Sequence, residues 1–167
     1  MIKIILWIDL NRKKPSPNLL SSYHKRALPL FFKRMAKTIL CTIDFSASSC
    51  QALKLAATLA RDLKAHLTIL YTYRLIRVKN EELFDGKKKI EEEAAKNFIS
   101  LEKDFLMDMG ISYDFKTEIG FVADRVEAYA KKTPIGFFVI DKKMSFDSKE
   151  TFDELLENIK VPMLIVP

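Results

Sequence analysis

The part of the chain that most limits how it can fold is residues 38–73, TILCTIDFSASSCQALKLAATLARDLKAHLTILYTY. Its apolar segment Ile39–Ile43 is short and partly β-branched, which is typical of a buried parallel strand. Serines that can cap a helix follow, and apolar residues recur at helical spacing from Leu53 to Leu63. His66–Tyr73 then predicts a second strand, so the unit is a right-handed βαβ crossover. Ligands bind such sheets beyond the carboxyl ends of the strands, which is where Asp44 lies.

The same alternation of strands and helices continues to the end of the chain. Gly110 predicts the end of a long helix, and Thr133-Pro134 the end of a short one. The further predicted elements are a helix over 87–109, a strand over 111–119, a helix over 122–132, a strand over 135–140, a helix from 148 or 149 to 159, and a strand over 161–166. The pattern predicts an α/β fold, an open doubly wound parallel sheet of the Rossmann-like kind with helices on both faces.

Charge divides the chain into two parts. The net charge of the 167 residues is +6, but residues 1–34 contain eight Lys or Arg and one acid. The remainder is nearly neutral, with twenty Lys or Arg against twenty-one Asp or Glu. We therefore predict a basic N-terminal extension over residues 1–35 and one domain over residues 36–167. Because the domain is nearly neutral, it has no electrostatic field that would attract nucleic acid. No apolar run reaches the roughly 20 residues that span a bilayer.

Residues with catalytic or metal-binding chemistry are sparse. Cys41 and Cys50 lack metal-ligand spacing, and we expect both to be free thiols. His66 is expected at the amino end of its strand, opposite the ligand edge, and no Ser-His-Asp group is expected at one edge of the sheet. We therefore predict no catalytic residues, no resident metal and no enzymatic activity. One alternative is that Asp44 and Asp141 form a carboxylate pair that holds a divalent metal or serves in acid–base chemistry.

The domain resembles the universal stress protein family, the UspA-like domains. The resemblance covers about residues 36–167 and rests on Thr38-Ile39-Leu40 leading to Asp44-Phe45-Ser46, on the Ala-rich helix that follows, and on the terminal Val161-Pro162-Met163-Leu164-Ile165-Val166. It implies a five-stranded sheet in the order 3-2-1-4-5, a cytoplasmic stress-response role, and dimers that form through the last strand.

Many members of that family bind ATP through a glycine-rich loop after the fourth strand. Glycine lets the backbone approach the phosphates closely and adopt positive φ. Here the corresponding positions hold Asp141, Met144, Glu154 and Leu155, and none of the four glycines of the chain lies in that loop. We therefore expect no cofactor. If a nucleotide does bind, Asp44 and Lys142 are the candidate binding residues.

Taken together, the residues and the resemblance predict a dimeric stress-response or partner-binding domain that does not bind ATP. A bare edge of strand five would be too apolar to stay unpaired. The predicted dimer interface consists of Val161, Met163, Leu164, Ile165 and Val166. The alternatives are an adenine-nucleotide-binding protein with an atypical phosphate loop, a nucleotide hydrolase or transferase, and a nucleic-acid binder that uses the basic extension.

Overall fold

The structure, a computed structural model, describes residues 3–5, 38–75, 83–144 and 152–167. The strands are β1 (Lys3–Ile5), β2 (Thr38–Ile43), β3 (His66–Tyr73), β4 (Tyr113–Ile119), β5 (Phe137–Asp141) and β6 (Met163–Val166). The α-helices are α1 (Ala47–Leu63), α2 (Leu83–Leu101), α3 (Val122–Lys132) and α4 (Phe152–Asn158). The predicted start of the last helix lies outside the described residues.

One six-stranded sheet has the order β1-β6-β5-β2-β3-β4. The strands β2 to β6 are all parallel, and their order is the predicted 3-2-1-4-5 once β1 is set aside. The predicted fold class is therefore confirmed.

The sixth strand, β1, comes from the N-terminal extension. It pairs antiparallel with β6 in the register Lys3 with Ile165, Ile4 with Leu164 and Ile5 with Met163. The edge of β6 that we expected to pair with a second copy is thus covered by the chain itself. The boundary drawn at residue 35 stays a prediction, but Lys3–Ile5 belongs to the sheet and not to a separate arm.

The residues of β2 are buried on both faces of the sheet, as expected for an interior strand. All six of its residues are buried, and its side chains alternate between two apolar clusters. Ile39, Cys41 and Ile43 face α1 and α2, whereas Leu40 faces α3 and α4. A strand that is buried on both faces must be apolar throughout, as this one is apart from its two threonines.

Helix α1 lies close to the sheet because its inner face is small. Ala52, Ala56, Ala57 and Ala60 are at most 1% exposed. The hydroxyl of Ser46 caps the helix by accepting the N–H of Ser49, and the helix ends at Lys64 in the left-handed conformation. This end leads directly into β3.

Helix α2 does not end as a regular helix. After Leu101 the backbone continues through a π-helical segment, Glu102–Leu106, and a 3₁₀ turn, Met107–Met109. It stops at Gly110, whose φ of 63° a side chain would disfavour. The predicted helix over 87–109 therefore ends where expected, but it begins four residues earlier, at Leu83, and its last two turns are irregular.

Candidate functional site

The carboxyl ends of β2 and β5 are adjacent in the sheet, at the point where the strand order reverses. This is where an open α/β sheet binds its ligand. Beyond β2 lie Asp44, Phe45 and the first turn of α1, and β5 ends at Asp141. The sequence placed Asp44 and Asp141 at this edge, and the structure brings them there.

The turn after β2 is tied by its own side chains. Asp44 Oδ1 accepts the backbone N–H of Ser46 at 2.9 Å, and the N–H of Asp44 donates to Ser49 Oγ at 3.3 Å. Phe45 has a φ of 63°, a conformation that non-glycine residues adopt rarely. Its ring packs on Tyr71 with 5.1 Å between centroids. Hydrogen bonds within the turn and the packing of Phe45 on Tyr71 therefore stabilise this strained conformation.

Asp141 is fully buried, with 0% of its surface exposed. Its Oδ1 accepts the N–H of Lys143 at 2.9 Å, and its carbonyl accepts the N–H of Met144 at 3.2 Å. Its Oδ2 is buried and has no hydrogen-bond partner among the residues that the structure describes. The carboxylate therefore lies inside the turn after β5. It accepts the hydrogen bond of the Lys143 amide, which is then not available to bind an anion.

Apolar residues that belong to the core stand at two other positions of the loop that binds phosphate in the family. Met144 is 6% exposed and Leu155 is 0% exposed, and both belong to the apolar cluster on the face of α3 and α4. Lys142 is exposed, and its N–H donates to the carbonyl of Val166 at 2.7 Å. The backbone of Glu154 lies within α4, and its side chain is outside the described part of the structure.

No group of three or more His, Cys, Asp or Glu side chains in residues 3–5, 38–75, 83–144 and 152–167 is arranged to hold a metal ion. Asp44 and Asp141 each bond to a backbone amide of their own turn. Cys41 and Cys50 are free, as expected, with Cys41 buried and Cys50 half-buried.

Sequence reasoning missed a polar array at the amino ends of β3 and β4. His66 Nδ1 lies 2.8 Å from Ser112 Oγ, and His66 Nε2 lies 2.9 Å from Asp114 Oδ1. The expectation that no Ser-His-Asp group would form at one edge of the sheet is therefore wrong. His66 is far in sequence from Ser112 and Asp114, and the pairing of β3 with β4 joins them because Thr68 lies opposite Asp114.

The contacts of this array link β3 to β4, and they do not resemble those of a catalytic nucleophile with its base. Asp114 also accepts the hydroxyl of Thr68 at 2.7 Å, and its Oδ2 lies 3.0 Å from Lys116 Nζ. Its negative charge is thus already compensated, which weakens the stabilisation that a carboxylate gives to an imidazolium ion in catalysis. Two of the three groups remain about one-third exposed, His66 at 38% and Asp114 at 33% of the side chain.

Asp114 has a depressed pKa. Partial burial alone would raise it, but the hydrogen bonds from Thr68 and His66 and the ammonium group of Lys116 outweigh burial. A carboxyl group whose pKa is lower in the folded state adds stability above its unfolded pKa of about 3.9 and loses it as the pH falls through the folded value.

We expect Asp114→Asn to lower the free energy of unfolding at pH 7, and we expect the difference from the parent to shrink towards pH 3. Urea unfolding at both pH values measures this. Asp62→Asn is the control, because Asp62 is an exposed carboxylate beside Arg61. An Asp114→Asn deficit that is equal at both pH values would contradict the assignment.

The fold and the site together define a class. This is an open, doubly wound α/β domain in which β2 and β5 end side by side where the strand order reverses, and Asp141 bonds to an amide of the turn that follows β5. The family model described as the universal stress protein family matches residues 35–135. The chain therefore belongs to the universal stress protein family.

Solved structures agree with this fold. A universal stress protein family member from Burkholderia pseudomallei aligns with a TM-score of 0.65 and 21% identity, covering 80% of this chain and 97% of that one. UspA from Lactobacillus plantarum aligns with a TM-score of 0.63 and 18% identity, covering 78% and 97%. A universal stress protein solved in complex with cAMP aligns with a TM-score of 0.62 and 16% identity, covering 80% and 98%. A search of curated proteins found no match.

Proposed function

We propose that this universal stress protein does not bind ATP, catalyses no reaction and acts in the cytoplasm by binding a protein partner. The observation that carries the proposal is Asp141, whose buried carboxylate accepts the Lys143 amide in the turn where a phosphate would have to bind. A triphosphate would have to displace this carboxylate or meet its negative charge at close range. Neither is favourable where solvent is excluded.

The start of α1 supports the same proposal. Its free amides are what would attract a phosphate group. The N–H of Ser46 is bonded to Asp44, and that of Ser49 to the hydroxyl of Ser46. Binding phosphate here would therefore exchange existing hydrogen bonds for new ones, with little net gain.

The first partner we propose is a second copy of the chain, joined across the edge of β6. Met163, Leu164 and Ile165 are at most 7% exposed within a single copy, so their side chains belong to the core. An interface here would therefore be formed mainly by backbone hydrogen bonds along the edge, flanked by Val161 and Val166. Strand β1 bonds to the same edge, so it competes with any second copy.

A second candidate function is binding of an adenine nucleotide through an atypical site. Two observations favour it: one structural neighbour was solved with cAMP, and Asp141 Oδ2 has no hydrogen-bond partner among the described residues. A ligand N–H or hydroxyl could satisfy that oxygen. In this case Asp44 and Lys142 are the residues to test first.

Calorimetric titration with Mg-ATP is expected to show no binding below the high-micromolar range. Losing two backbone N–H contacts to a charged acceptor, each worth roughly 1.5–3 kcal/mol, weakens binding about a hundredfold or more. Asp141→Gly is the informative variant, because it removes the blocking carboxylate and restores positive-φ freedom, and we expect it to bind Mg-ATP more tightly than the parent.

Sub-micromolar affinity of the parent for Mg-ATP, lost in Asp44→Ala, would contradict the proposal and establish the second candidate. Titration with cAMP tests for a nucleotide site that lacks a triphosphate-binding loop. Mass spectrometry of small molecules that co-purify with the protein tests whether any ligand occupies the site.

A further inference from the structure

The face of the edge strand β4 that points towards α3 is charged. Asp114, Lys116 and Glu118 alternate along it, and opposite them on β3 lie Thr68, Leu70 and Thr72. The other face of β4 packs apolar and aromatic side chains against α2, including the stacked pair Phe98 and Phe115. Charged side chains on one face of an otherwise packed strand are not needed for the core.

A cleft of about 270 Å³ lies between this charged face and α3. It is lined by Lys116, Glu118, Arg125, Ala128, Tyr129, Lys132 and Thr133. Three cationic side chains and one carboxylate line it, and the hydroxyls of Tyr129 and Thr133 add hydrogen-bonding groups. The cleft is separate from the carboxyl edge of β2 and β5.

Arg125 forms a long ion pair with Glu118. Its Nη1 lies 3.9 Å from Glu118 Oε2, which is beyond hydrogen-bond distance. Its Nε is buried and has no hydrogen-bond partner in the described part of the chain. A Cβ on Gly120, which has a φ of 138°, would lie 3.1 Å from this Nε. Glycine at position 120 therefore leaves the space that the guanidinium occupies.

Two lysines add positive charge to the cleft, and one of them, Lys116, is also paired with Asp114 Oδ2 at 3.0 Å. Lys116 Nζ donates to the hydroxyl of Tyr129 and lies 4.6 Å from the centre of that ring. Lys132 is exposed and forms no ion pair with the described residues, whereas its neighbour Lys131 is bonded to Glu127 at 2.8 Å. A rigid arginine fork beside lysine point charges is suited to the oxygens of a phosphate group.

We propose that the cleft between β4 and α3 binds a phosphate-sized anion, either inorganic phosphate or the phosphate group of a small phosphomonoester. The guanidinium of Arg125 and the ammonium groups of Lys116 and Lys132 bind the anion, and Tyr129 and Thr133 orient it. Its volume falls just below the 300–1,000 Å³ usual for pockets that bury drug-sized ligands, so a single phosphate-bearing group fits it best. This site does not depend on the proposed function, because it shares no residue with the β2 and β5 edge.

Titration of the full chain with inorganic phosphate, and separately with glycerol 3-phosphate, tests the proposal by amide chemical shifts at constant ionic strength in chloride. We expect saturable shifts confined to residues 116–120 and 125–133. Arg125→Gln and Lys132→Gln should each weaken binding about tenfold, as expected for loss of a charge-assisted contact. Tighter binding of glycerol 3-phosphate would identify the phosphomonoester as the ligand, and equal or weaker binding would identify inorganic phosphate.

Lys131→Gln is the matched control, because it removes the same charge from the same helix one residue away. Its affinity should equal that of the parent. Because Lys132 is exposed, Lys132→Gln keeps the test valid even if Arg125→Gln fails to fold. Shifts that never saturate with either ligand, or an equal loss in Lys131→Gln and Lys132→Gln, would overturn the proposal, because both outcomes describe diffuse positive charge and no site.

Discussion

A protein that begins at Met35 is expected to form a homodimer at concentrations where the full chain is largely monomeric. The truncation removes β1, and with it the backbone partners of β6 at Met163–Ile165. An edge strand with free N–H and C=O groups and apolar side chains pairs readily with another chain. Because β6 accepts β1 antiparallel, two copies of β6 can pair antiparallel about a two-fold axis, which gives a closed dimer.

We expect the dimer dissociation constant to fall at least about tenfold on truncation, which corresponds to about 1.4 kcal/mol. Light scattering or sedimentation across a concentration series measures it. The truncation also removes all of the excess positive charge, so a second variant must separate pairing from charge.

Ile4→Pro in the full chain serves this purpose, because proline removes a backbone N–H and fixes φ in the middle of the three-residue strand β1, and it leaves the charge unchanged. Leu10→Pro, in the same extension but outside Lys3–Ile5, is its control. Ile4→Pro should dimerise like the truncated chain and Leu10→Pro like the parent. A truncated chain that stays monomeric at high concentration would rule out a dimer through β6.

Phe138→Ala is expected to lower the free energy of unfolding by about 3–5 kcal/mol, the usual cost of deleting a buried aromatic ring. Phe138 lies on β5, next to the central strand, and is 0% exposed. It packs in the cluster that also contains Leu40, Leu70 and Val126. Such a loss is a large fraction of the 5–15 kcal/mol that stabilises a typical domain.

The neighbouring residue gives the control. Phe137 is only partly buried and faces the opposite cluster, so Phe137→Ala should cost clearly less. Urea unfolding followed by circular dichroism gives both values. A Phe138→Ala loss below about 1 kcal/mol would mean that Phe138 is not packed in an apolar cluster on its face of the sheet.

The fold was readable from the sequence because its rules are local. The buried strands are short apolar runs, and α3 ends at the predicted Lys132 because Pro134 follows it. The carboxyl ends of parallel strands meet at one edge whatever the details of packing. That geometry places Asp44 and Asp141 at the switch point from the sequence alone.

Only part of the candidate site could be predicted from the sequence. The sequence predicted that Asp141 would keep a phosphate away, since it stands where glycine is needed. It did not predict that the carboxylate would be wholly buried and would bond to the Lys143 amide. Whether an aspartate points into its own turn or into solvent depends on the space that its neighbours leave.

Pairings between distant residues were decided by the tertiary structure alone. His66 meets Asp114 across 48 residues of sequence, and Lys3–Ile5 pairs with a strand at the other end of the chain. Periodicity reports which side chains are buried in each element, and so it determined the class of fold, the parallel sheet and the ligand edge. It carries no information on which edge a short extra strand will cover or which polar groups two strands will bring together, because those contacts depend on register and on the closure of long loops.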